Sequence, residues 1–101
     1  MNMQMIMQQA KKMQAQIQKE QEELERTEYE GTSSLVNVKI NGRHEVLEVK
    51  INLPAGESIE SDDREMLEDM LMVAMNDAIK KANTDKEDKL SKYGQGLAGL
   101  M

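Results

Sequence analysis

The chain of 101 residues has no cysteine, no phenylalanine and no tryptophan, one proline, one histidine and two tyrosines, Tyr29 and Tyr93. Without cysteine there is no disulfide, no thiolate nucleophile and no cysteine-ligated zinc, and nothing marks an oxidising compartment. Without large aromatics a core loses the side chains that usually give its largest single burials. Ten methionines and a few branched aliphatics must fill their place. One domain of this length has a thin core in any case, and association is the usual remedy, so a homodimer is expected. No apolar run approaches the roughly 20 residues of a membrane span. Residues 1–9 carry no basic stretch ahead of an apolar one, so no secretion signal is expected and the default location is the cytoplasm.

Positive charge is scarce overall, with 13 Lys and Arg against 19 Asp and Glu and a net charge of −6. That total argues against a nucleic-acid partner, but it hides blocks. Residues 1–19 carry three lysines and no acid, and residues 80–101 carry five lysines against three acids. The acids concentrate in residues 20–30 and 57–79. Positive charge therefore sits near the two ends of the chain.

Residues 3–27 contain no Gly or Pro and are rich in strong helix formers, which predicts one long helix. Its apolar residues Met3, Ile6, Ala10, Met13, Ile17 and Leu24 step by three and four, with Glu20 standing where the stripe should continue. This is close to a heptad seam, narrow enough to pack along one line and leave most of the helix in water. A turn or bulge is expected at Thr32-Ser33-Ser34, with Tyr29 in a short strand before it. Residues 35–40 and 43–51 then read as two strands around Asn41-Gly42, the preferred pair for a two-residue type I′ hairpin. That register sets Ile40 opposite Arg43 and Val36 opposite Leu47. It also gathers Val36, Val38, Ile40, Leu47, Val49 and Ile51 on one buried face. After Pro54 and a polar loop, Asp62 with Glu65 resembles a capping box. Leu67, Met70, Leu71, Ala74, Ala78 and Ala82 then form a broad apolar helix face suited to covering a sheet. Asn83-Thr84 reads as a kink or restart, Gly94 as the helix end, and residues 94–101 as a loose tail. The order is helix, three strands, helix: an α+β domain spanning residues 1–93.

No residues assemble into a catalytic centre. Met1, Met3, Met5 and Met7 have the thioethers that soft metals select, but period two scatters them around a helix. His44 lacks a partner in sequence and reads as a solvent-exposed strand residue. Ser33 and Ser34 lack a nucleophile-elbow context. The acids of 57–69 lack the alternating pattern of a calcium loop and serve a helix N-terminus instead. No glycine-rich phosphate loop occurs. No enzyme activity, metal, cofactor or small-molecule substrate is expected.

The lysines remain. Lys11, Lys12 and Lys19 lie off the first helix's seam, Arg26 follows at its end, and Lys80, Lys81, Lys86, Lys89 and Lys92 cluster late in the second helix. Each alone reads as solvated surface. Together, doubled by dimerisation, they form a patch that could neutralise several phosphates and release counterions.

One resemblance adds to this. Leu35-Val36-x-Val38-x-Ile40-Asn41-Gly42-x-His44 is followed by Val49-x-Ile51, by Asp63-x-Glu65-Met66-Leu67-Glu68-Asp69 and by Ala74-x-Asn76-Asp77-Ala78. In that order, with a Gln/Met/Lys-rich first helix and a Gly/Leu/Met tail, nearly the whole chain resembles the YbaB/EbfC family of bacterial nucleoid-associated proteins. The resemblance implies an α-β-β-β-α fold and a tight homodimer whose helices project from a central sheet like tweezers. It also implies binding of double-stranded DNA through those helices, a location on the nucleoid, and a role in nucleoid organisation or gene regulation. Lys11, Lys12, Lys19, Arg26, Lys80, Lys81, Lys86, Lys89 and Lys92 are the expected phosphate contacts, with Gln8, Gln9, Gln16 and Asn83 beside them. The first helix here departs by turning acidic at Glu20, Glu22, Glu23 and Glu25. The rival expectation is a protein-interaction module that docks a partner helix on the first helix's seam and repels nucleic acid.

Overall fold

A computed structural model describes residues 2–98, with side chains up to Tyr93. Helix α1 spans Met3–Arg26, strands β1, β2 and β3 span Glu28–Ser33, Val36–Asn41 and Val46–Ile51, and helix α2 spans Arg64–Ala98. The shape is long, 72 × 20 × 15 Å, with a radius of gyration of 20.4 Å. A compact chain of this length would have about 13 Å. Most of α1 and the end of α2 therefore lie outside any shared core.

Local chemistry sets both ends of α1. The Asn2 side chain accepts a hydrogen bond from the Gln4 N–H at 3.1 Å, satisfying one orphan donor of the first turn. At the other end the Thr27 N–H donates to the Glu23 and Leu24 carbonyls, and its hydroxyl donates to the Glu23 carbonyl at 2.7 Å. Helix α2 is preceded by a 3-10 turn at Ser61–Asp63, in which Glu60 and Asp63 form a reciprocal capping box. The cap thus lies two residues ahead of the expected Asp62. No break occurs at Asn83-Thr84, and the helix passes through Gly94 to Ala98. Of the tail expected from residue 94, only residues 99–101 lie outside the described residues. The 35-residue run outlasts two glycines, Gly94 and Gly96, because each added residue gains a hydrogen bond once the helix is nucleated.

The strands form one antiparallel sheet in the order β1-β2-β3. Here the expected hairpin is corrected twice. The two-residue turn lies between β1 and β2, where Ser34 takes the left-handed conformation (φ 48) beside Leu35 and Ser33 pairs with Val36. Between β2 and β3 the loop is Gly42-Arg43-His44, closed by the Asn41 N–H donating to the Glu45 carbonyl and the Glu45 N–H donating to Asn41 Oδ1, each at 3.0 Å. The His44 N–H donates to the Asn41 carbonyl at 3.0 Å, and His44 takes the left-handed position (φ 64). This is the three-residue loop built on a type I turn. The strands consequently pair Val36 with Ile51 and Val38 with Val49, and a bulge at Leu47 brings Ile40 opposite Val46.

The core is small. Val36, Val38 and Ile40 lie fully buried beneath Ala74, Ala78 and Ala82 of α2. An alanine stripe lets the helix come unusually close to the sheet, and it comes closest at Gly31 of β1. A Cβ there would lie 2.0 Å from the Ala74 carbonyl oxygen.

Helix α2 covers β1 and β2 but has no close approach to β3. Val49 and Ile51 share the face of Val36 and Val38, yet each keeps 47 % of its surface in water. Leu47 is similarly open. The expectation of one wholly buried face thus holds for β2 and fails for β3, because one helix is too narrow to cover three strands.

Polar contacts fasten α2 to the β1 edge. The Tyr29 hydroxyl donates to Asp85 Oδ2 at 2.6 Å, the Thr32 N–H donates to Asp77 Oδ2 at 3.1 Å, and the Lys81 ammonium donates to the Glu30 carbonyl at 2.8 Å. The Tyr29 bond, then Lys89, holds the Asp85 carboxyl below the usual range; the Thr32 bond, then Lys81, does the same for Asp77. Carboxyls depressed in the folded state contribute stability above their unfolded values near pH 4, and this is lost as pH falls through the folded values. The melting temperature should therefore drop on acidification below about pH 4. An Asp77→Asn/Asp85→Asn variant followed by circular dichroism should show a flatter acid limb, and an unchanged limb would count against these two anchors. Burial, then Asp85, pushes Tyr29 up to about 12, so stability also falls as the unfolded chain ionises its tyrosine above about pH 10.

Candidate nucleic-acid interface

Helix α1 is held only along its second half. Leu24 is buried, Met13 and Ile17 are half-buried, and Met3, Ile6 and Met7 of the first turns are exposed, Met3 at 73 %. Glu20, the apparent defect in the seam, accepts a hydrogen bond from Lys92 of α2 at 2.6 Å. An ion pair therefore stands where the stripe would place a hydrophobe, and it joins the two helices beyond the sheet. The remaining N-terminal turns of α1 extend past it as an arm.

On that arm the helical repeat sorts the cations. Lys12, Lys19 and Arg26 recur every seven residues, so they form one line with about 10 Å between neighbours. At roughly 100° per residue this line runs opposite the seam of Met13, Ile17 and Leu24. All three cations are exposed, as is Lys11 a quarter-turn away, and among the described residues none of the four is in an ion pair. The acids Glu22, Glu23 and Glu25 occupy the last turns between Lys19 and Arg26. The positive surface of α1 is thus strongest towards its N-terminal half.

The five lysines of α2 divide. Lys81 is committed to Asp77 and the Glu30 carbonyl, Lys89 to Asp85, and Lys92 to Glu20 with its ammonium 5.0 Å from the Tyr93 ring centre. These three fasten the fold. Lys80 and Lys86 are exposed and carry no ion pair among the described residues. Exposed pairs are worth only about 0–1 kcal/mol, so a stronger anionic partner could still recruit the committed lysines.

Arg43 and His44 were not among the expected cations, and the fold places them close to Lys86. They line, with Lys86, a cleft of about 460 Å³ between the end of α1, the β2–β3 loop and the middle of α2. A basic pair in a polar turn has no distinguishing mark in sequence. Only the docking of that turn against α1 and α2 reveals it. Among the described residues, no group of three or more His, Cys, Asp or Glu side chains is placed to hold a metal ion. No helix among them is long and apolar enough to cross a membrane.

The profile of the YbaB/EbfC DNA-binding family matches residues 1–97. The chain belongs to that family. It is 44 % identical over 102 aligned positions to a nucleoid-associated protein of Chloroflexus aurantiacus, with 99 % of each chain covered. A nucleoid-associated protein of Ligilactobacillus salivarius is 36 % identical, covering 99 % of this chain and 95 % of its own. Among solved structures, an uncharacterised protein of Helicobacter pylori superposes with a TM-score of 0.70 at 21 % identity, covering 92 % of this chain and 97 % of that one. The last likeness concerns the fold alone, and it agrees with the helix, three antiparallel strands and helix seen here. YbaB/EbfC is a bacterial DNA-binding family rather than an enzyme family.

Proposed function

We propose that this YbaB/EbfC chain binds double-stranded DNA as a homodimer, on the nucleoid, where it organises the chromosome or adjusts gene expression. The observation that carries this reading is the set of exposed cations on α1, Lys11, Lys12, Lys19 and Arg26, without ion pairs among the described residues and on a helix held only at its root. Lys80 and Lys86 extend the set onto α2. Contacts to phosphate confer affinity without sequence preference, and the exposed glutamines Gln8, Gln9 and Gln16 beside them could reach sugars or base edges.

The uncovered strand supports the dimer. Val49 and Ile51 continue the core face of the sheet beyond the reach of α2. On α2, the anchors Asp77 and Lys81 face β1, so the helical repeat turns Leu71, Met72, Met75 and Ile79 towards the β3 side. This apolar surface of strand and helix flank is a natural seat for the same surface of a second copy. Two arms on one particle would engage one duplex with the gain of a bivalent ligand.

The test is anisotropy of a labelled duplex at several salt concentrations with the wild-type chain and a Lys11→Glu/Lys12→Glu/Lys19→Glu variant. Wild-type affinity should fall steeply with salt, and the variant should lose about 100-fold or more at low salt. No wild-type binding at low salt, or indifference to charge reversal, would turn the case towards a protein partner for the exposed seam of α1.

A further inference from the structure

We propose that the cleft between the end of α1, the β2–β3 loop and the middle of α2 is a seat for a backbone phosphate of bound DNA, with Arg43, His44 and Lys86 as its donors. This rests on the duplex-binding reading above and adds to it a site off the helical arms.

The cleft has an apolar floor and a polar rim. Leu24, Ala82 and the half-buried Tyr29 form the floor, while Arg43, His44, Lys86, Gln21, Asn83 and Glu25 stand around it. Two fixed cations face one carboxylate, in a protein that is acidic overall.

What distinguishes the site from a chance gathering of surface charge is how the loop is held. Asn41 Oδ1 accepts from the backbone N–H of Arg43 at 2.9 Å and of Glu45 at 3.0 Å, while its amide donates to the Glu45 carboxylate at 2.9 Å. Backbone bonds between Asn41 and both His44 and Glu45 close the same turn. Gly42 is pressed so tightly on the last turn of α1 that a Cβ would lie 1.8 Å from the Leu24 carbonyl oxygen. His44 takes the left-handed backbone that this turn requires, a conformation which His, like Asn and Asp, adopts more readily than other residues with a side chain. The loop is therefore ordered before a ligand arrives, so little further entropy is lost when it grips one. Lys86 on the opposite wall has no acidic partner among the described residues, unlike its neighbours Lys81, Lys89 and Lys92. The Arg43–Glu45 approach is loose, at 4.0 Å and largely solvated, and can be exchanged for a phosphate at small cost.

The proposal assigns opposite signs to neighbouring residues, which makes it testable. In duplex anisotropy across a salt series, Arg43→Gln/Lys86→Gln should weaken binding about 10-fold and lower the magnitude of the salt slope by about one. Glu25→Gln should tighten binding about threefold by removing the one carboxylate on the rim. Circular dichroism checks that these exposed substitutions leave the fold intact. A second arm titrates inorganic phosphate into the full chain and follows backbone amide shifts of residues 42–45 and 86 by NMR. Wild-type duplex binding with unchanged affinity and slope in the double variant would overturn the seat while leaving the duplex reading intact. Phosphate-induced shifts that vanish in the double variant, in a chain that binds no duplex, would keep the anion site and remove DNA as its source. Absence of response in both arms would overturn the proposal.

Discussion

Replacing Gly31 with alanine should lower the melting temperature by about 15 °C or prevent folding altogether. Gly31 lies in β1 where α2 crosses it, and an added Cβ would stand 2.0 Å from the Ala74 carbonyl oxygen and 2.5 Å from the Ala78 nitrogen. Both are backbone atoms of a helix interior, so no rotamer change relieves the clash. The helix must lift, and Ala74, Ala78 and Ala82 then separate from Val36, Val38 and Ile40, with which they form the buried cluster between helix and sheet. Overpacking of this kind costs about 3 kcal/mol or more. In a domain this small each kcal/mol moves the midpoint by about 4–8 °C. The control is Gly56→Ala. Gly56 has a left-handed backbone (φ 85) but open space around its Cβ position, so only conformational strain of about 1–2 kcal/mol is expected. A Gly31→Ala protein that melts with wild type by circular dichroism would show that α2 does not lie on β1 in this way.

The second large effect concerns the uncovered strand. A Val49→Lys/Ile51→Lys variant should be monomeric by light scattering at micromolar concentration, where the wild-type chain is expected to be a dimer. Neither side chain is needed to fold one protomer, since each is about half in water there. At the centre of a dimer interface the same two lysines would lose their hydration without partners, a penalty of several kcal/mol per ion. Duplex affinity should fall together with the dimer, because each particle then carries one basic arm instead of two. A wild-type chain that scatters as a monomer at that concentration would refute the assembly. A dimeric double variant would place the interface elsewhere.

Much of the architecture was legible because it depends on local pattern. The long α1 was readable from an unbroken run of helix formers, and its seam from steps of three and four. The apolar face of α2 was readable in the same way, since Ala74, Ala78 and Ala82 sit at helical spacing. The Asn41-Gly42 pair misled because its residue types suit more than one structure. Asn41 is needed for the three hydrogen bonds its side chain makes across the loop, and Gly42 for the absence of a side chain beneath Leu24. Neither role is a type I′ turn. The register of β3 moved with that loop, so Val36 meets Ile51 rather than Leu47.

The candidate interface was legible as a composition of charge but not as a set of free charges. Lys12, Lys19 and Arg26 could be aligned from their numbers alone. That Lys81, Lys89 and Lys92 are tied to Asp77, Asp85 and Glu20 could be suspected only for the first two, which are four residues from their partners on one helix. Lys92 and Glu20 are 72 residues apart, and only the convergence of α1 and α2 makes them a pair.

The scarcity of aromatic residues determined that the core would be thin and association expected, because buried area per residue is limited by side-chain size. Periodicity determined the helices and strands, because hydrogen bonding within a helix and alternation along a strand depend only on near neighbours. Tertiary structure decided what one helix could cover, which left Val49 and Ile51 open. It also decided which lysines are spent on the fold, and that Arg43, His44 and Lys86 surround one cleft. Those outcomes depend on how distant segments approach one another, and the distance of closest approach is set at Gly31 and Gly42 by the absence of a side chain.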